Sequence, residues 1–102
     1  MTPADPSDVP ELADALAAVV LGVPGVVRLN AGALGEIGTY LPGRRVAGIR
    51  LGSTDAPTEV HVVLRPDVPL RTVAQAVHVA AGDLLTAAGA RPEVRVHVDD
   101  LA

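Results

Sequence analysis

The chain is 102 residues long, 49% hydrophobic and carries a formal net charge of -4, which describes one globular domain rather than a disordered or multidomain chain. It has no Cys, no Trp and no Phe, Tyr40 is its one aromatic residue, and all eight basic residues are Arg. Disulfides, thiolate nucleophiles and thiolate metal sites are thereby excluded, and an acidic chain with one ring lacks both the basic field and the stacking platform of a nucleic-acid binder. Val, Ala and Leu must fill the interior through many small contacts.

Residues 1–8 read as a loose tail, with Pro3 and Pro6 among small polar residues. Asp8 is placed to cap a helix, Glu11 follows three residues later as in a capping box, and Pro10 falls in the first turn, where its missing N–H does no harm. The first helix is expected over 9–21, with Leu12, Leu16 and Val19 or Val20 on its apolar stripe. Gly22 is expected to take the left-handed stop and Pro24 to forbid continuation. The β-branched run Val26 to Leu29 predicts a first strand. Residues 30–43 are ambiguous: Gly32, Gly35 and Gly38 interrupt them while Leu34, Ile37 and Leu41 keep helical spacing, which fits a short helix or an ordered loop.

A second strand is expected from Arg45 to Leu51 and a third from Glu59 to Arg65. In the third, Val60, Val62 and Leu64 share one face and Glu59, His61 and Arg65 the other. The second helix is expected over 68–88, with Leu70, Val73, Val77, Ala81, Leu84 and Ala88 inward. Gly89 and Pro92 end it. The last strand, Glu93 to Asp99, alternates Val94, Val96 and Val98 inward with Glu93, Arg95, His97 and Asp99 outward. Leu84 and Val96 are expected to be fully buried. The fold class is therefore α+β in order α-β-β-β-α-β: residues 9–102 form one domain with two helices packed on one face of a three- to four-stranded, mostly antiparallel sheet.

The other sheet face gathers Glu59, His61, Arg65, Glu93, Arg95 and His97, which we take as the candidate protein-interaction face. Two sheet histidines near a carboxylate can be drawn as a metal site, but spacing alone does not fix a ligand set; a solvated polar face is the expectation, with no metal or cofactor assigned. The run Gly32, Gly35, Gly38 has GxxGxxG spacing, not the phosphate-binding GxGxxG, and no GK[ST] follows. Ser7 and Ser53 lack a nucleophile-elbow context and no acid–base pair stands out, so no catalytic residues are assigned and an enzyme is not expected. Arg44 and Arg45 are two charges at a strand entry, too few to hold a membrane surface alone. The N-terminal residues carry Asp5 and Asp8 and no basic segment, and the apolar run Ala15 to Leu21 is far short of the roughly 18 residues of a spanning helix. A cytoplasmic protein is expected.

Taken in order, Val23-Pro24-Gly25-Val26, the glycine-interrupted stretch ending in Gly43-Arg44-Arg45-Val46-Ala47-Gly48-Ile49, Glu59-Val60-His61-Val62-Val63-Leu64, Pro69-Leu70-Arg71-Thr72-Val73-Ala74 and Val94-Arg95-Val96-His97-Val98-Asp99-Asp100-Leu101 resemble the alkaline shock protein family of Gram-positive envelope stress response proteins, in a short actinobacterial-type form. The resemblance covers about residues 9–101. It departs from many relatives at Arg65-Pro66, where they carry an aromatic–Gly pair. The resemblance implies a bacterial, non-enzymatic envelope stress response protein: a cytoplasmic, self-associating protein-interaction module, held near the membrane only indirectly by a membrane-anchored family member or paralogue. The alternative is a small-molecule- or metal-binding regulatory domain.

Overall fold

The structure, a computed structural model, describes residues 9–102; the expected tail and the Asp8 cap lie outside the described residues. The elements are α1 (Val9–Leu21), β1 (Val26–Leu29), β2 (Gly38–Leu41), β3 (Arg44–Ala47), β4 (Ile49–Arg50), β5 (Thr58–Leu64), α2 (Leu70–Ala87) and β6 (Val94–Leu101). The α+β class, with helices packed on a largely antiparallel four-stranded sheet, is as the sequence predicts. A second, two-stranded sheet was not expected.

The central strand is β5, an alternating run whose Val60, Val62 and Leu64 are all fully buried. Its two edges are used differently. On one edge β6 runs parallel along the whole strand, from Thr58↔Val94 to Leu64↔Leu101. A parallel partner needs a crossover, and α2 supplies it. The other edge is shared end to end: antiparallel β1 takes Val62 to Leu64 and antiparallel β4 takes Glu59 and Val60.

Gly48 produces this sharing. The expected single strand over 45–51 is split there into β3 and β4 because Gly48 takes φ +80°. A Cβ at Gly48 would stand 2.8 Å from Leu29 Cβ and 2.9 Å from the Asn30 nitrogen, so only a residue without a side chain lets this bend press against the end of β1. Its carbonyl accepts the His61 N–H at 2.9 Å, and the His61 carbonyl accepts the Asn30 N–H at 2.9 Å. His61 is thus pinned by its backbone at the junction between β1 and β4.

The ambiguous segment resolves into a loop over 30–37 followed by β2, and no helix forms. Gly32 and Gly35 adopt φ +83° and +73°, outside the helical region, and Leu34 is left 89% exposed instead of lying on an apolar stripe. The hairpin β2–β3 closes through Pro42 and Gly43, the latter at φ +77°, as a type II turn requires.

On the inner face α1 brings Ala13, Leu16 and Val20 and α2 brings Val73, Val77, Ala81 and Leu85 onto Val46, Ile49, Val60, Val62, Leu64 and Val94. Two expected core positions are corrected. Strict four-residue spacing from Val73 makes Leu85 the buried residue, and Leu84 only flanks the core. Val96, on the edge strand, is half-buried rather than fully buried. Gly22 does not take the left-handed stop either; the first positive φ comes at Gly25, +98°, under Val73. At the end of α2 the expectation holds. Gly89 has φ +75°, its N–H donates to the Thr86 carbonyl and the Ala90 N–H to the Leu85 carbonyl, which is the Schellman closure.

Candidate functional site

The outer face of the sheet is built by β5 and β6 in register. Because Glu59 pairs with Arg95 and His61 with His97, alternation puts all four side chains on the face turned away from the helices. His61 and His97 lie directly side by side, with ring centroids 4.2 Å apart and planes 11° from parallel. Each ring has its own carboxylate. The Nε2 of His97 lies 3.0 Å from Glu59 Oε1, and Nδ1 of His61 lies 2.9 Å and 3.0 Å from the two oxygens of Asp99.

Asp99 reaches His61 from an irregularity in the parallel ladder. Val62 pairs with Val98 but Val63 pairs with Asp100, so Asp99 is an extra residue bulged out of register. Its other neighbour is Asn30, whose amide donates to Oδ2 at 2.9 Å, and Arg28 donates in turn to Asn30 at 3.2 Å. Desolvation pushes the Asp99 carboxyl up, but the hydrogen bonds from Asn30 and His61 together outweigh it and hold the group below the ordinary carboxylate value. Asp99 is therefore an anion at neutral pH. As an ionised carboxylate it can only accept, so Nδ1 of His61 carries the proton.

In the neutral ring, a proton on Nδ1 leaves the second nitrogen of His61 as a bare acceptor. The Nε2 atom is buried and finds no hydrogen-bond partner among the described residues. The His61 side chain as a whole is only 12% exposed, since the loop over 30–37 flanks it. Asn30, Gly32, Glu36 and Ile37 line a depression of about 470 Å³ with His61 and Asp99. The expectation of a solvated polar face is therefore corrected at its centre. Val63, on the same side as His61, is fully buried as well.

The six residues of the expected interaction face separate into two groups. Glu59, His61 and His97 come together, each offering a donor atom within 4.8 Å of the others. Arg65, Glu93 and Arg95 do not join them. Arg65 pairs with Asp67 at 2.9 Å at the end of β5, and Glu93 pairs with Arg91 at 2.8 Å before β6. Arg95 is exposed. Arg50 completes the near side of the cluster, 3.3 Å from the second oxygen of Glu59. Sequence reasoning placed Asp99 on the outward face but did not join it to His61. It missed Asn30 altogether, whose role depends on contact across 69 positions. The strand alternation was the one available signal.

Arg44 and Arg45 are both engaged. Arg44 holds Asp14 of α1 through two bonds of 2.6 and 2.9 Å, and Arg45 donates to the Gly35 carbonyl with its guanidinium 5.7 Å from the Tyr40 ring centre. Among the described residues no helix is long and apolar enough to cross a membrane. The chain matched no family model, no curated protein and no solved structure.

Proposed function

We propose that this chain is a non-enzymatic protein-association module of the envelope stress type, working in the cytoplasm and brought to the membrane by a protein partner. The family resemblance of its motifs supplies the biological setting. The observation that carries the association itself is the free edge of β6. This strand is eight residues long and pairs only with β5 among the described residues. An unpaired edge of that length is a template for another strand. It exposes apolar as well as charged side chains: Val98 is 40% and Leu101 42% exposed, beside Arg95 and Asp100.

The charge order along β6 favours a second copy, or a close relative, as the partner. Antiparallel pairing of two such strands centred on His97, with Asp99 bulged out of register, sets Arg95 of each copy across from Asp100 of the other on the outer face. Arg95 and Asp100 are both exposed, and opposite charges facing each other across a ladder favour that register. Arg95→Asp is expected to shift the chain towards monomer in light scattering, and Arg95→Asp combined with Asp100→Arg to restore association. A native chain that stays monomeric at all concentrations and recovers no family member from detergent-solubilised membranes would overturn the reading.

A further inference from the structure

We propose that Glu59, His61 and His97 form a binding site for one borderline divalent cation of the Zn2+ type, with Asp99 as the positioning residue behind His61. The proposal goes beyond the association reading and does not depend on it.

Three independent features converge on the site. The first is donor chemistry: two imidazoles and a carboxylate suit Zn2+ and its first-row neighbours and are poor ligands for Mg2+ or Ca2+. The second is the His61 tautomer. Asp99 accepts from Nδ1, which leaves Nε2 with its lone pair and no partner in a buried setting. A buried acceptor without a donor is costly, and a cation is the occupant that an orphan lone pair beside a carboxylate selects. A carboxylate that fixes the far nitrogen of a ligating histidine is also how proteins raise the basicity and fix the direction of such a ligand. Asn30 holds that carboxylate in turn. The third feature is proximity, since one donor atom from each of the three residues lies within 4.8 Å of the others.

The apo geometry also says what must move. Ligand lone pairs lie in the ring plane, and two rings 11° from parallel direct them side by side rather than at one point. Donors sharing a tetrahedral ion at about 2.1 Å stand roughly 3.4 Å apart; His97 Nε2 and Glu59 Oε1 already lie 3.0 Å apart, so the movement needed is one of direction as much as of distance. His61 is tied by Asp99 and largely buried. The His97 side chain is 39% exposed and, among the described residues, its hydrogen-bond contact is Glu59. The ion therefore takes the place of the proton between His97 and Glu59: His97 tilts out of the stack, its neutral ring carries the proton on Nδ1 instead of Nε2 by exchange with solvent, and the freed Nε2 lone pair and Glu59 Oε1 turn to the metal. Water completes the fourth position. Bound in this way the cation cross-links the outer faces of β5 and β6.

The test uses tag-free, chelator-stripped full chain, titrated with ZnCl2 by calorimetry and with Co2+ followed by its visible ligand-field absorption. We expect one ion per chain, a raised melting temperature with Zn2+, and a Co2+ spectrum of low-symmetry, tetrahedral type. His97→Ala and Glu59→Gln should each weaken binding at least about tenfold, and Asp99→Asn by about ten- to a hundredfold, while His78→Ala, on α2, leaves it unchanged. The exposure of His97 lets its truncation leave the inner core intact, and far-UV circular dichroism checks that it does. A native chain that binds neither Zn2+ nor Co2+, or a folded His97→Ala variant that binds like the native one, would overturn the proposal.

Discussion

The two faces of β5 are held by different physics. Towards the helices it presents Val60, Val62 and Leu64, all completely buried, and what holds them is volume and apolar area, which are indifferent to direction. Away from the helices it presents Glu59 and His61, held by contacts of 2.9 to 3.3 Å whose partners come from β6 and β4, with Asn30 after β1 holding Asp99 in turn. The inner face tolerates a change of shape better than a loss of size. The outer face is fixed by a few atoms and depends on their charge state.

The sharpest way to break the comparison is to remove volume from the inner face. Leu85→Ala is expected to cost about 2–5 kcal/mol in denaturant unfolding, whereas its neighbour Leu84→Ala, at the margin of the core, should cost about 1 kcal/mol. Equal effects would mean that α2 is rotated. Next is the joint between the faces. Gly48→Ala places a Cβ at positive φ against Leu29 and Asn30 and should destabilise by about 2 kcal/mol; it should also disturb His61, visible as a shifted imidazole resonance. On the outer face, Asp99→Asn should cost about 1 kcal/mol at neutral pH. The sign of its pH dependence follows from the lowered carboxyl. A depressed folded-state value stabilises the fold above the unfolded one and is lost as pH falls through the folded value. The gap between native and Asp99→Asn melting temperatures should thus be full above the ordinary value of 3.8 and shrink below it. The smallest effect is expected at the solvent-exposed Arg44–Asp14 pair, where Arg44→Ala should leave the melting temperature at physiological salt within error of the native one.

The inner face was legible in the sequence because periodicity encodes it. Val60, Val62 and Leu64 announce a strand, and Val73, Val77 and Ala81 a helix, whatever surrounds them. Errors came where a local signal was ambiguous by one residue, as between Leu84 and Leu85, or where spacing imitated an element that the backbone could not form, as at Leu34 and Ile37 on either side of the left-handed Gly35. The outer face was legible only as a roll of polar residues. Its pairings depend on strand register, on a bulge at Asp99 that breaks an apparently strict alternation, and on Asn30 arriving from far along the chain. None of these leaves a trace in composition or spacing.

Tyr40 lies at the β2–β3 hairpin, 71% exposed, with the Arg45 guanidinium over its ring. The one chromophore of this protein is therefore outside its core. Its fluorescence and near-ultraviolet signal report on the hairpin, while the helices and the main sheet carry no aromatic reporter and are followed by the far-ultraviolet signal. If the hairpin opens as a separate unit, the tyrosine signal will change before the far-ultraviolet helical signal on heating. If the two move together, the hairpin and the helical layer open as one cooperative unit.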